Sequence, residues 1–117
     1  MPTTVLALEE YREWFMQLDH GDQDSVLYVV RLLEELGVLL PYPYSSAIAG
    51  SRHAVRELRP KQGRSPLRVF YAFDPDRAAI LLLGGDKSGD NRFYERVVPR
   101  ADDLFDAYLA WLATQRK

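Results

Sequence analysis

The twenty residues PLRVFYAFDPDRAAILLLGG, from Pro66 to Gly85, decide the fold. Their first half alternates in the manner of a strand with two different faces. One face carries Leu67, Val69, Tyr71 and Phe73, and the other carries Arg68, Phe70 and Ala72. The turn DPDR then leads into AAILLLGG, whose continuous apolar run predicts a strand covered on both faces.

Two further strands are predicted upstream of this pair. Ala54 to Arg59 is a short strand ended by the turn Pro60-Lys-Gln-Gly, which completes a three-stranded meander. The stretch Thr3 to Leu8 is expected to add an edge strand. Between them, Pro41-Tyr-Pro-Tyr-Ser-Ser is interpreted as a loop because its prolines interrupt regular structure.

Helical spacing appears in three places. Glu9 to Asp19 places its aromatic and leucine side chains on one stripe, which predicts a first amphipathic helix. A second helix follows LDHGDQDS, with Asp22 or Asp24 as its N-cap and Gly37 as its C-cap. A final helix follows the aromatic stretch RFYERVVP, and Pro99 suits its N-terminal turn.

The predicted order is therefore strand, helix, helix, strand, strand, strand, helix. This is an α+β fold in which the N-terminal helical hairpin packs on one face of a small antiparallel sheet and a C-terminal helix follows. We expect the other sheet face to stay open and concave. Arg56 and Arg68 on that face mark the expected position of a functional site.

Composition limits the class of protein. With 117 residues, 47% of them hydrophobic, the chain is expected to form one domain over residues 1–117. It has no cysteine, which excludes disulfides, thiolate zinc sites and cysteine nucleophiles. The N-terminus lacks the features of a secretory signal, and the longest apolar run is too short to span a membrane. We therefore expect a soluble cytoplasmic protein without membrane partners.

The net charge of -2 hides an uneven distribution. Residues 1–51 contain two arginines and eight acidic residues, whereas residues 52–68 contain six basic residues and only Glu57 as an acid. A basic segment in an acidic chain is typical of a local anion site, although a solvated basic loop gives the same pattern.

Several strings, taken in order, resemble the phage-derived, HigB-like branch of the RelE/ParE superfamily of type II toxin–antitoxin systems. They are ELRP (57–60), LRVFYAFDP (67–75), AILLLGGDKSG (79–89) and RFYERVVPRAD (92–102). The tryptophan–phenylalanine pair of the first helix, ELG at the end of the second helix and GSRH (50–53) agree in order and spacing. The resemblance extends over nearly the whole chain.

This resemblance implies a RelE-like toxin that is neutralised by a small HigA-like antitoxin with a helix-turn-helix part. RelE-like members act as endoribonucleases that cut mRNA on the ribosome and so inhibit translation. ParE-like members instead poison DNA gyrase without catalytic residues, and an inactive module that only binds its antitoxin is a third alternative. Fold alone does not choose between them. No sequence-specific DNA binding is expected of this chain alone.

Four residues are expected at a catalytic site. Arg68, at the family's strand arginine, is expected to stabilise the phosphate, or else to be a surface arginine or a partner of Asp74. Lys87 supports the same phosphate or pairs with Asp86. Tyr94 stacks on a base, acts as acid or base if cations lower its pKa, or belongs to the core. Glu57 is a general base or a partner of a nearby arginine.

The remaining cations are interpreted as contacts to the RNA backbone or the ribosome, or as ordinary surface charge. They are Arg56, Arg59, Lys61, Arg64, Arg92 and Arg96. Because His20 and His53 lie far apart in the chain, we expect no metal and no cofactor. Two departures from the RelE pattern are Val55 and Glu57 in place of paired lysines, and the lack of a histidine near the C-terminal end.

Overall fold

The structure is a computed structural model that describes residues 2–116. Its strands are β1 (Val5–Ala7), β2 (Ser45–Ala47), β3 (Arg56–Leu58), β4 (Leu67–Phe73) and β5 (Ala79–Asp86). Its α-helices are α1 (Glu9–Met16), α2 (His20–Leu36) and α3 (Phe93–Thr114). Short 3-10 turns occupy Gly37–Leu39 and Pro60–Gly63.

The strands form one sheet in the order β1-β5-β4-β3-β2. The predicted α+β class and the meander of β3, β4 and β5 are confirmed, and so is the predicted edge strand, now β1. The sheet is mixed, because β1 runs parallel to β5 while all other pairs are antiparallel. A register shift between Phe70 and Tyr71 adds one residue to β5.

Both faces of the sheet are covered. As predicted, Val69 and Tyr71 point to one face, where they pack with α1 and α2. The expectation that the opposite face is open is wrong, because α3 lies across it and buries Phe70 and Ala72 against Phe93, Val97 and Phe105. The site expected on an exposed face is therefore partly enclosed.

Two adjacent glycines of β5 show how closely the helices approach each face. A Cβ on Gly84 would lie 2.2 Å from Cε3 of Trp14 in α1, and a Cβ on Gly85 would lie 2.8 Å from Cε1 of Phe93 in α3. Because neither face has room for a methyl group there, the two glycines let both helical layers pack directly on the strand.

Two helix boundaries differ from the predictions. The N-cap of α2 is Asp19, whose side chain accepts a hydrogen bond from the Asp22 amide (2.8 Å), rather than Asp22 or Asp24. The final helix begins at Phe93, so that Pro99 lies inside it. A proline inside a helix costs about 3 kcal/mol through the lost backbone hydrogen bond and the clash of its ring with the preceding turn, and burial of the apolar side chains on either side of Pro99 offsets this cost.

The predicted loop before residue 47 contains the extra strand β2, which the sequence analysis missed. Its backbone pairs with β3, where Ser45 lies opposite Leu58. Ser45 is buried, and its hydroxyl shares a 2.6 Å hydrogen bond with the Tyr71 hydroxyl. Because the buried side chain is a serine, the alternation of apolar residues that predicts a strand is absent here. Within residues 2–116, no helix is long and apolar enough to cross a membrane.

Candidate functional site

A buried carboxylate, Glu57 of β3, is the centre of the candidate site. Its Oε1 accepts a hydrogen bond from Tyr94 Oη (2.6 Å), and its Oε2 accepts one from Arg59 Nη1 (3.2 Å). Arg68 Nε lies 3.5 Å from Oε1. Three residues expected to be catalytic and Arg59, expected to contact RNA, therefore meet at one carboxylate. The cluster of Glu57, Arg59, Arg68 and Tyr94 is called the Glu57 cluster below.

The Glu57 cluster carries two guanidinium groups and one carboxylate, and thus an excess of one positive charge. Because the carboxylate is only 4% exposed, its interactions with these cations are screened much less than those of surface pairs. Such an excess in an enclosed site favours the binding of an anion.

Arg68 is enclosed rather than presented to solvent. It is 2% exposed, and its Nη1 donates to the backbone oxygens of Ser65 (2.6 Å) and Leu67 (2.8 Å). Its Nε has no hydrogen-bond partner in the part of the chain that the structure describes. The suggested pairing with Asp74 is wrong, because Asp74 accepts from Tyr108 and from backbone amides. In this arrangement an incoming phosphate would meet Arg59 before Arg68.

Tyr94 lies in the first turn of α3, half-buried beside Glu57. Burial, followed by the hydrogen bond to Glu57 and its negative charge, raises the pKa of the Tyr94 phenol above its ordinary value, and Arg68 offsets only part of that rise. The condition under which Tyr94 was considered as an acid or a base, a pKa lowered by cations, is therefore not met. A phenol that stays protonated can donate a proton but is a poor base.

Arg59 is the more accessible of the two arginines, with a side chain that is 19% exposed. Its guanidinium carbon lies 5.3 Å from the ring centroid of Tyr42. A Cβ on Gly63, which has φ +85, would lie 2.6 Å from Arg59 Nη2. Tyr42 and Gly63 thus hold Arg59 from two sides. Sequence analysis missed both, and the only signal was a glycine in the turn after ELRP.

Lys87 lies just beyond β5, and its amide donates to the backbone oxygen of Pro66 (3.0 Å). This bond places Lys87 at the end of the sheet where β4 begins, one residue before Leu67. The suggested ion pair with Asp86 is not formed, and no hydrogen bond or ion pair engages its ammonium group within residues 2–116.

The outer cations are in different environments. Arg56 donates to Ser45 Oγ on the sheet face opposite Glu57, as the alternation of a strand requires. Lys61 and Arg64 are exposed in the turn between β3 and β4, and their side chains make no described ion pair. At the start of α3, Arg92 pairs with Glu95 (3.3 Å) and Arg96 with Asp90 (2.9 Å), and both arginines are exposed.

Part of the basic segment has a structural role instead. The backbone amide of Arg52 donates to Asp102 (2.8 Å), and its guanidinium pairs with Asp103 and Asp106 of α3. Although burial acts to raise it, hydrogen bonds from the loop of residues 51–53 together lower the pKa of Asp102 below its ordinary value. The motif GSRH therefore fastens the chain before β3 to the helix that covers the site.

Comparison with known proteins identifies the family. Residues 13–106 match the family model described as Phage derived protein Gp49-like. The chain is 39% identical over 106 residues to Putative toxin HigB2 of Mycobacterium tuberculosis, covering 88% of this chain but only 53% of that relative, about half its length. It is also 39% identical over 108 residues to Putative toxin HigB3 of the same organism, covering 91% of this chain and 93% of that protein.

Two solved structures share the fold. The first comes from the toxin–antitoxin complex RelBE2 of Mycobacterium tuberculosis, with a TM-score of 0.57 at 15% identity, covering 74% of this chain and 92% of that one. The second comes from the archaeal RelE–RelB complex of Pyrococcus horikoshii OT3, with a TM-score of 0.55 at 17% identity, covering 76% and 99%. The chain therefore belongs to the phage-derived Gp49-like family and is a HigB-like, RelE-fold toxin of the type II toxin–antitoxin class.

Proposed function

We propose that this toxin is an endoribonuclease that cuts mRNA on the ribosome without a metal and thereby stops translation. The observation that carries the proposal is the convergence of Tyr94, Arg59 and Arg68 on the carboxylate of Glu57. A proton acceptor, a proton donor and cations for the phosphate are the groups that RNA cleavage by the 2′-hydroxyl requires.

The reaction would proceed by attack of the ribose 2′-oxygen on the adjacent phosphorus. Glu57 takes the proton of the 2′-hydroxyl, the 2′-oxygen–phosphorus bond forms, and the bond from phosphorus to the 5′-oxygen breaks. Tyr94, whose raised pKa keeps it protonated, donates its proton to the leaving 5′-oxygen. The products are a 2′,3′-cyclic phosphate and a 5′-hydroxyl. The proton taken up by Glu57 then passes to the Tyr94 phenolate along the hydrogen bond between them, which restores both groups.

Arg59 would bind the phosphate that is cleaved. It is the more accessible of the two arginines at Glu57, so an incoming phosphate can take over one of its N–H groups and free Oε2 of the carboxylate. Arg68 stays beneath the carboxylate and holds it in position, because its Nη1 is fixed by two backbone oxygens. Lys87, at the same end of the sheet, adds positive charge near the phosphate.

The exposed cations would attract and position the RNA and the ribosome. Lys61 and Arg64 lie in the turn that follows Arg59. Arg92 is the N-cap residue of the helix that carries Tyr94, and Arg96 lies in its first turn. Because such contacts release counterions, we expect binding to weaken as salt concentration rises. Arg56 contributes less in this proposal, since its Nε is held by Ser45 on the opposite sheet face.

A non-enzymatic poison of DNA gyrase is the second candidate. It is favoured by the burial of Arg68 and Glu57, at 2% and 4% exposure, which leaves little of the pair in reach of a substrate. Its prediction is different, because a poison that only binds should tolerate the loss of the Tyr94 hydroxyl.

A helix-turn-helix, HigA-like antitoxin is the partner that this proposal requires, and DNA binding would belong to that partner. The two structural neighbours come from complexes with an antitoxin, which supports this part. A protein that acts on translating ribosomes works in the cytoplasm, so the location follows from the same proposal.

Induced expression in a host without the antitoxin tests the function. We expect incorporation of labelled methionine to stop within minutes, with new mRNA 5′ ends inside reading frames. Tyr94→Phe removes one hydroxyl and should reduce cleavage by about 10²-fold or more. Tyr28→Phe, on exposed α2, is the matched control and should cleave like the wild type.

Two outcomes would contradict the nuclease. If Tyr94→Phe kills cells as well as the wild type while transcripts stay intact and the DNA-damage response is induced, the gyrase alternative is correct. If the wild-type chain accumulates in folded form without any effect on growth, the chain is an inactive antitoxin-binding module.

A further inference from the structure

Tyr42 is an exposed aromatic residue in the turn between α2 and β2. The backbone oxygen of Pro41 closes this turn, because it accepts hydrogen bonds from the amides of Tyr44 (3.0 Å) and Ser45 (3.1 Å). Tyr42 itself is 70% exposed. A single exposed tyrosine is common on protein surfaces, so the neighbours of the ring decide what it can bind.

The neighbour of this ring is Arg59, the residue proposed above to bind the phosphate that is cleaved. The guanidinium carbon of Arg59 lies 5.3 Å from the ring centroid of Tyr42, while Nη1 of the same group donates to Glu57. One guanidinium group therefore links the exposed ring to the proposed reacting carboxylate. In a ribonucleotide a single ribose joins the base to its phosphate, so a base whose phosphate is bound by Arg59 can reach the Tyr42 ring.

Contacts between two segments hold the ring beside the arginine. The Arg59 amide donates to the backbone oxygen of Tyr44 (2.8 Å), and Gln62 Nε2 donates to the Tyr44 hydroxyl (3.4 Å). Lys61 and Gln62 have φ values of +55° and +57°, a conformation that is unfavourable for residues with a side chain. Together with Gly63 they fold the turn back onto Arg59. Strained backbone of this kind is concentrated at functional sites.

The surface next to the ring carries positive charge. Lys61 and Arg64 are exposed in the turn that follows Arg59, and neither forms an ion pair with any residue that the structure describes. An exposed aromatic ring beside cations that can follow a phosphate backbone is the combination with which proteins bind single-stranded RNA.

Tyr94 is less accessible to a base than Tyr42. Its hydroxyl donates to Glu57 (2.6 Å), and its ring packs edge-on against Phe70 and Phe93, with ring centroids 6.1 and 5.2 Å away. Of these two tyrosines, Tyr42 therefore presents the more open ring surface, and Tyr94 keeps its position as a proton donor.

We propose that Tyr42 is a base-stacking residue, so that its ring and Arg59 together bind one nucleotide of the mRNA. The ring stacks on the base, and the guanidinium group binds the adjacent phosphate. Because every base has an aromatic face, this Tyr42 subsite adds affinity for all four bases rather than a strict sequence preference. The inference rests on the proposed function in that its ligand is the RNA that is cleaved.

Binding to ribosomes that carry a defined mRNA tests the subsite. The mRNA has a 2′-deoxyribose at the mapped cleavage position, which blocks the reaction, and two further versions each lack the base on one side of the cleaved linkage. We expect the wild-type toxin to bind one of these abasic versions about tenfold more weakly than the intact mRNA. Tyr42→Ala should bind the intact mRNA about tenfold more weakly than the wild type and should lose no further affinity on that abasic version.

Two variants serve as controls. Tyr42→Phe keeps the aromatic ring and should bind all three mRNAs like the wild type. Tyr28→Ala removes a ring that is 57% exposed on α2 and should also bind like the wild type.

A role of Tyr42 in supporting Arg59 alone gives a different result. The abasic mRNA would then weaken Tyr42→Ala as much as it weakens the wild type. That result, or wild-type affinity of Tyr42→Ala for the intact mRNA, would overturn the subsite even though the wild-type toxin cuts cleavable mRNA. Wild-type toxin that neither binds these ribosomes nor cuts cleavable mRNA would instead refute the proposed function, and the subsite with it.

Discussion

The half of the sheet that contains β3 and β4 differs from the half that contains β1 in how its polar groups are paired. Around β3 and β4, charged side chains are buried and meet partners within the chain, as in the Glu57 cluster. At β1, backbone groups are left unpaired and large apolar side chains such as Leu6 and Trp111 are exposed. The charged groups of the first half have partners within the chain, whereas the exposed apolar side chains at β1 face solvent.

The proposed reaction site lies in the half of the sheet whose charged groups have partners within the chain. The buried charges are held by backbone oxygens and by α3, so that the proposed reacting groups stay in place. Four substitutions, described from the largest expected effect to the smallest, test how strongly burial and pairing stabilise different parts of the molecule.

The largest effect is expected from removal of the central carboxylate. Glu57→Ala leaves the Arg68 guanidinium buried without its counter-charge, and we expect a loss of about 3–5 kcal/mol in the free energy of unfolding. Urea denaturation measures this loss. Glu95→Ala removes an acid whose side chain is 70% exposed and should cost less than about 1 kcal/mol. Equal losses for the two variants would show that the Glu57 cluster is not a buried network.

A glycine substitution tests whether both sheet faces are as tightly covered as the structure shows. Gly84→Ala should destabilise the protein by about 1–3 kcal/mol, because the new methyl group overlaps the Trp14 ring. Gly21→Ala is the control, since its nearest neighbour would be 3.7 Å away in the first turns of α2. It should be neutral or stabilising by up to about 1 kcal/mol. A stable Gly84→Ala protein would mean that α1 packs more loosely on β5.

The loop anchored on α3 gives a pH-dependent effect. At pH 7, Asp102→Asn should lower stability by about 1–3 kcal/mol, because the charged acceptor of three hydrogen bonds is lost. The lowered pKa of Asp102 means that its contribution is present above the ordinary carboxyl range and is lost as pH falls through the folded value. The difference from the wild type should therefore shrink below about pH 4.

Thermal unfolding across this pH range checks the prediction. Asp24→Asn, at an exposed position of α2, should differ little from the wild type at any of these pH values. A difference between Asp102→Asn and the wild type that stays constant down to pH 2 would contradict the role of the Asp102 charge.

The smallest effect on stability is expected at the surface. Arg92→Ala breaks a pair whose side chains are 79% and 70% exposed, and stability should change by less than about 0.5 kcal/mol. Ribosome binding should weaken all the same, and its dependence on salt should become less steep. A variant that binds ribosomes like the wild type at every salt concentration would remove Arg92 from the proposed interface.

Sequence predicted the parts of the fold that local patterns determine. The alternation of residues 67–73 and the apolar run after DPDR gave β4, β5 and their faces correctly, because burial of every second side chain follows from strand geometry. The start of α3 was not predicted correctly, because Pro99 predicts a helix boundary. The helix continues through Pro99 because the residues on both sides of it pack against the sheet.

The same helix explains what sequence missed at the site. Residue types and family strings selected Glu57, Arg68, Lys87 and Tyr94, and three of these four meet in the structure. Their burial depends on α3 covering a face that was expected to be open, which no local pattern reveals. The support of Arg59 by Tyr42 and Gly63 likewise depends on contacts between distant segments.

Cleavage in a reconstituted translation system tests whether this toxin is a ribosome-dependent nuclease. Purified toxin is added to ribosomes that are translating a defined mRNA, and the new 5′ ends are mapped by primer extension. The account predicts cuts that require the ribosome, persist in EDTA-treated toxin, fall about 10²-fold or more with Tyr94→Phe and remain with Tyr28→Phe. Wild-type toxin that leaves the mRNA whole, or Tyr94→Phe toxin that cuts at the full rate, would contradict it.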